Sequence, residues 1–144
     1  MADTPLDKAI IDKLAERGYQ FITKNKFKSA LYLKQPFYTN HFHIGDSIYE
    51  TPKYCDYILY HPEKWPSCLI IESIWQQTTG TTDEKFPYQV LNVQQRYPHK
   101  TIIVLDGGGY RLQAQQWLKS QEGNNILKVF SLGEFSNWAN KGNI

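Results

Sequence analysis

Sulfur is scarce in this sequence, with two cysteines and one methionine among 144 residues. Cys55 and Cys68 make no Cys-x-x-Cys pair and lack the spacing of zinc ligands, so neither a disulfide framework nor a structural zinc site is indicated. They are expected as reduced thiols on buried strands of a cytoplasmic protein, with a disulfide between them as the minor alternative. Long apolar runs are missing as well. No stretch approaches the ~18 consecutive apolar residues of a membrane span, and Met1 to Lys8 holds no run suited to a secretory signal. An excess of one charge is also lacking. Sixteen Lys and Arg against 14 Asp and Glu leave a formal net charge of +2, which neither demands a nucleic-acid partner nor excludes one. With no internal repeat, linker or low-complexity segment, residues 1–144 read as one domain, long enough to bury a real core.

Aromatic residues, by contrast, are plentiful: ten Tyr, four Trp and seven Phe make up 15% of the chain. Such rings fill cores, but they also stack on bases or pack subunits together.

Hydrophobic periodicity orders the chain. Thr4 suits a helix cap, Pro5 the first helical position and Gly18 the end, with Leu6, Ile10, Ile11 and Leu14 as the apolar stripe. Asp7 falls within that stripe; it either points inward or simply favours the positive end of the helix. Tyr19 to Leu33 reads as strand and turn, with Lys24, Lys26 and Lys28 at every second position as a solvated edge. His41 to Tyr49 reads as a strand turned around Gly45-Asp46, with His41 and His43 on one face as weak ligand candidates. Cys55 to His61 and Cys68 to Gln76 read as adjacent antiparallel central strands, joined through a segment in which Pro62 and Pro66 end both strands. A polar turn from Thr78 to Thr82 precedes a helix from Asp83 to Tyr97, with Pro87 near its start. A buried strand from Thr101 to Leu105 runs into Gly107-Gly108-Gly109, read as a tight turn because it lacks the lysine and spacing of a phosphate-binding loop. A helix bearing Ala114, Trp117 and Leu118, a strand from Ile126 to Phe130 and a helix burying Leu132 and Phe135 complete the order. The fold class is α/β, a mixed central sheet flanked by helices.

Asp56 and Glu72 interrupt these two central strands. A carboxylate in such a setting is costly unless paired, hydrogen-bonded or metal-bound, and a divalent cation between two of them relieves their repulsion. Few oxygen ligands suit Mg²⁺, which keeps waters and completes its shell with substrate phosphate. Tyr60 or nearby lysines are the metal-free alternative for satisfying the pair.

Asp56, fifteen residues, then Glu72-Ser73-Ile74-Trp75-Gln76-Gln77 resembles the active-site core of the PD-(D/E)XK nucleases, the superfamily of most type II restriction enzymes. The longer strings Cys68 to Tyr88 and Ile102 to Tyr110 look like a group of small, largely cyanobacterial members, and the resemblance runs through nearly the whole chain. It implies a restriction-endonuclease-like fold and a Mg²⁺- or Mn²⁺-dependent DNA endonuclease, with Asp56 and Glu72 as metal-binding acids. Asp7 is the candidate for the helix-one acid that often completes such sites, with Glu16 and Asp12 behind it. Gln76, two residues further along the Glu72 face, is a candidate to orient water or phosphate, the alternative being an ordinary strand-end amide. Where the family places a lysine, two residues after the second acid, this chain has Ile74. Lys85, at the start of the following helix, is the nearest replacement charge, set against a reading as a solvated helix-start residue. A chain with Ile74 is expected to be an endonuclease using another cation, a silent DNA-binding or assembly relative, or a nuclease disabled by substitution. Cutting both strands of two-fold symmetric DNA implies a homodimer or a higher homo-oligomer.

Overall fold

The structure, a computed structural model, describes residues 4–76 and 81–144. Six strands form one sheet in chain order: β1 (Gln20–Phe21), β2 (Phe37–Asp46), β3 (Pro52–His61), β4 (Trp65–Trp75), β5 (Thr101–Asp106) and β6 (Ile126–Ser131). The β2–β3–β4 pairings are antiparallel, and β4–β5–β6 are parallel. The switch follows from connection length. A short turn suffices between β2 and β3 and between β3 and β4, whereas each parallel step needs a helical crossover.

Helices cover both faces. On one side lie α1 (Pro5–Glu16) and α6 (Leu132–Trp138), burying Leu6, Ile10, Leu14 and Phe135 against Tyr57, Leu59, Leu69, Ile71, Ile102 and Val104. On the other lie α2 (Lys24–Ala30), α4 (Phe86–Gln95) and α5 (Leu112–Ser120), burying Phe27, Phe86, Val90, Val93 and Leu118 against Ile58, Ile70, Ile103 and Leu105. Strands buried on both faces carry apolar residues at every position, as β5 does from Ile102 to Leu105. Among the described residues, no helix is long and apolar enough to cross a membrane.

Four segments differ from the expected elements. The lysine-alternating stretch is the helix α2 rather than an edge strand. Phe27 and Ala30, three apart and both buried, set a helical period that outweighs the alternation of exposed lysines. The strand β2 begins at Phe37, four residues before His41, and its ladder with β3 shifts register between His43 and Gly45. The helix expected from Asp83 is two, α3 (Thr81–Glu84) and α4, with Pro87 in the first turn of the second. Pro66 does not end a strand but is the second residue of β4. Thr78 to Gly80 of the expected polar turn lie outside the described residues.

Candidate active site

Asp56 and Glu72 stand where two central strands part. β3 pairs with β4 as far as Tyr57 opposite Ile71; beyond it β3 keeps its ladder with β2, while β4 continues against β5 with Glu72 opposite Ile103. Parting leaves backbone N–H groups without ladder partners in a buried setting, which demands substitutes. The carboxylates supply them. The Asp56 N–H donates to Glu72 Oε1 at 3.1 Å, and the Ser73 N–H donates to Asp56 Oδ2 at 2.9 Å. Each acid therefore closes the gap for the strand opposite. Gln89, on α4, donates its side-chain N–H to the other Glu72 oxygen at 2.9 Å.

Asp7 reaches the fork from the opposite face. Thr4 caps α1 by accepting the Asp7 N–H at 3.1 Å, and its hydroxyl donates to Asp7 Oδ2 at 3.0 Å. The Tyr57 hydroxyl donates to Asp7 Oδ1 at 2.6 Å. The Ser73 hydroxyl lies 3.1 Å from Asp7 Oδ1 and 3.3 Å from Asp56 Oδ2, so its single proton serves two acids. Asp7, Ser73, Asp56 and Glu72 thus form a line threaded through the sheet rather than a cluster. In keeping with that, among the described residues no group of three or more His, Cys, Asp and Glu side chains is placed to hold a metal ion. Asp12 and Glu16 point away to Lys8 and Lys13.

Two cavities open on the fork. One, of about 210 Å³ on the α1 face, is lined by Asp7, Asn40, His41, Asp56, Ser73 and Trp75. The other, of about 220 Å³ on the α4 face, is lined by Asp56, Glu72, Ile74, Lys85, Tyr88 and Gln89. Asp56 alone of the acids borders both.

The electrostatics are those of carboxyl groups with no ion-pair partner among the described residues. Burial pushes the Glu72 carboxyl up to about 8, and the neighbouring charge of Asp56 adds to the rise. Asp56 is also raised by burial, against the pull of its hydrogen bonds from Ser73. Among the described residues neither acid has an ion-pair partner; the cation whose field lowers both is Lys53, three residues ahead of Asp56 on β3. Burial and the Glu72 charge push the Cys55 thiol upward, which makes it an inert packing residue, and Cys55 and Cys68 are both free.

The remaining predicted residues divide. Lys85 borders the same cavity as Asp56, Glu72 and Ile74, at the residue preceding α4. Gln76 is turned away into the frame: its side-chain N–H donates to the Gly109 carbonyl at 2.7 Å, and its oxygen accepts the Asp83 N–H at 3.0 Å. The glycine turn exists to meet it. A Cβ on Gly107, whose φ is +106°, would come 2.4 Å from the Gln76 carbonyl oxygen. Sequence reasoning missed Ser73, Tyr57, Gln89 and Lys53. Only Ser73 and Tyr57, adjacent to the two acids, carried a signal of their place.

Residues 2–143 match the PD-(D/E)XK nuclease superfamily domain. The chain belongs to that superfamily. No curated protein and no solved structure matches it. Membership in the PD-(D/E)XK superfamily ties the chain to nucleases in general, which are typically metal-dependent, and its mixed sheet flanked by helices has the restriction-endonuclease-like topology.

Proposed function

We propose that this PD-(D/E)XK chain is a metal-dependent DNA endonuclease of restriction-like type, working as a single domain over residues 1–144. The observation that carries the reading is the fork itself: a buried and a half-buried carboxylate share it, linked through backbone N–H donors, with no cation paired to either among the described residues.

The donor set suits Mg²⁺ or Mn²⁺. Two carboxylates are few, but such ions retain waters and accept phosphate oxygens. Each Glu72 oxygen accepts one of these hydrogen bonds and keeps lone-pair capacity, and Asp56 Oδ2 accepts from both the N–H and the hydroxyl of Ser73, while Asp56 Oδ1 accepts none among the described residues. Asp56 and Glu72 would hold the ion, which when bound supplies an activated water and steadies the leaving oxygen. Gln89 orients Glu72, and Ser73 orients Asp56. Asp7, across the sheet, acts through Ser73 and Tyr57 to fix that orientation. Lys85 supplies positive charge in the cavity where Ile74 cannot. Gln76 keeps the strand end joined to the glycine turn, with no direct part in the chemistry.

A second reading, a catalytically silent nuclease fold retained for DNA binding or assembly, is favoured by one residue, Ile74. Plasmid cleavage in Mg²⁺ or Mn²⁺ separates the two, using the chain as given, Ile74→Lys and Asp56→Ala. Cutting that Asp56→Ala abolishes supports the endonuclease. Absence of cutting by both the given chain and Ile74→Lys overturns it in favour of the silent reading. The endonuclease is further proposed to be a cytoplasmic homodimer, since one such site cuts one strand; sedimentation at working concentration tests the dimer.

A further inference from the structure

One tyrosine lining the α4-face cavity, and a second stacked on it, have no part in the chemistry above. Tyr88 lines that cavity with Asp56 and Glu72. Its ring stacks on Tyr49, with centroids 5.1 Å apart and planes 30° from parallel. Tyr49 belongs to the β2–β3 turn and is 71% exposed, so most of its ring meets solvent. The turn that carries it is tied down at several points. Ser47 accepts the Tyr49 N–H at 3.1 Å and bonds Thr51 at 2.8 Å, while buried Asn92 of α4 accepts the Ile48 N–H at 2.8 Å. The Tyr88 hydroxyl lies beside Ser47 and Asn92 as well, joining the same network. An exposed ring is thus held in place before any partner arrives, which lowers the entropy lost when something stacks on it. Lys53, on β3 just after this turn, stands close enough for its charge to reach Tyr88, Asp56 and Glu72.

We propose that the lip formed by Tyr49 and Tyr88 is a stacking site for an unpaired DNA base, so that the cleft takes single-stranded or locally opened DNA. The proposal rests on the endonuclease reading of Asp56 and Glu72 but not on its homodimer, and it narrows the substrate to DNA with an unpaired base. A nucleotide whose phosphate reaches the carboxylates brings its neighbour's base to the lip of the same cleft, and Lys53 neutralises the phosphate between them. Bases inside a duplex are stacked on one another and offer no open face. An unpaired base does, and aromatic platforms beside basic side chains are the general means of binding it without reading sequence.

The test is fluorescence anisotropy of labelled oligothymidylate and of a labelled hairpin duplex, with the full chain in Ca²⁺, comparing Tyr49→Ala and Tyr49→Phe. The given chain is expected to bind the single strand more tightly than the duplex. Tyr49→Ala should weaken single-strand binding roughly tenfold, the size of loss typical for one stacking ring, while duplex binding is unchanged and Tyr49→Phe behaves as the parent. Single-strand binding unaffected by Tyr49→Ala, or duplex and single strand weakened alike, overturns the stacking site and leaves the endonuclease reading to the cleavage assay. No binding of either DNA overturns the stacking site together with the reading beneath it.

Discussion

Two acids are buried to the same degree in this fold and have opposite surroundings. Glu72 is 4% exposed and Asp83 is 5% exposed. Asp83 has a guanidinium against it: Arg111 Nε lies 3.6 Å from Asp83 Oδ2, and the Arg111 backbone N–H donates to the same oxygen at 3.3 Å. Its own N–H is taken by Gln76, so the acid ties α3 to the end of β4 and to the start of α5. Glu72 has instead a second carboxylate across the fork, an amide from Gln89 and no paired cation among the described residues. A buried charge with its counter-ion built in is a structural joint. On the reading proposed above, two acids side by side, one buried and one half-buried and neither paired with a cation among the described residues, await a cation that arrives from outside.

The contrast is broken most completely by Asp56→Ala. It removes one of the two acids and the anchor for the Ser73 N–H, and DNA cleavage in Mg²⁺ or Mn²⁺ is expected to fall to background in a gel assay. Ile74→Lys sharpens it the other way, by adding a cation to the cavity that Asp56, Glu72 and Lys85 line, where it can meet the charge developing on the phosphate. Cleavage should rise about 100- to 1000-fold, the range over which a single charge-stabilising donor acts, and steady-state rates at matched Mg²⁺ check it. Gln89→Ala sharpens the comparison by leaving both acids in place and freeing the orientation of Glu72. Calorimetric titration with Mn²⁺ should then show affinity weakened roughly 10- to 100-fold, as for outer-shell partners of other metal sites.

The same contrast predicts a pH dependence. The folded state raises Glu72 from an ordinary value of 4.5 to about 8, so it favours the protonated acid. In the metal-free protein the Glu72 contribution to stability is therefore fully present below pH 4.5 and is lost as pH rises through about 8, by an amount on the order of a few kcal/mol. Urea melts at a series of pH values should show the decline, and saturating Mn²⁺ should flatten it by binding the ionised pair. The smallest effect on metal binding belongs to the structural joint. Arg111→Ala leaves the buried Asp83 carboxylate without its cation, so stability should fall by about 3 kcal/mol, with Mn²⁺ affinity unchanged.

How much of this was legible in the residues varies with the range of the interaction involved. Helix α1 was readable because its signals are local: Thr4, Pro5 and a stripe of Leu6, Ile10 and Leu14 within twelve residues. The β3–β4 pair was readable because two apolar runs flank a short proline-bearing connection. Helix α2 was misread because its exposed lysines alternate by accident, and the residues that decide it, Phe27 and Ala30, matter only once there is a sheet to pack against.

The opposition of Asp56 and Glu72 lay within reach of the sequence, since strand alternation and antiparallel pairing bring them level. Their substitute hydrogen bonds did not, because they arise from the divergence of β3 and β4, which is a property of the whole twisted sheet. Nor did the separation of Asp7 from Glu72. A helical wheel places Asp7 inward but does not say which face of the sheet the helix covers. Local chemistry by itself determined the first helix and the α/β order, and it singled out the two acids. Only the packing of α1 on one face and α4 on the other decided that the acids form a line through the fork, because burial and backbone pairing are settled among segments far apart in the chain.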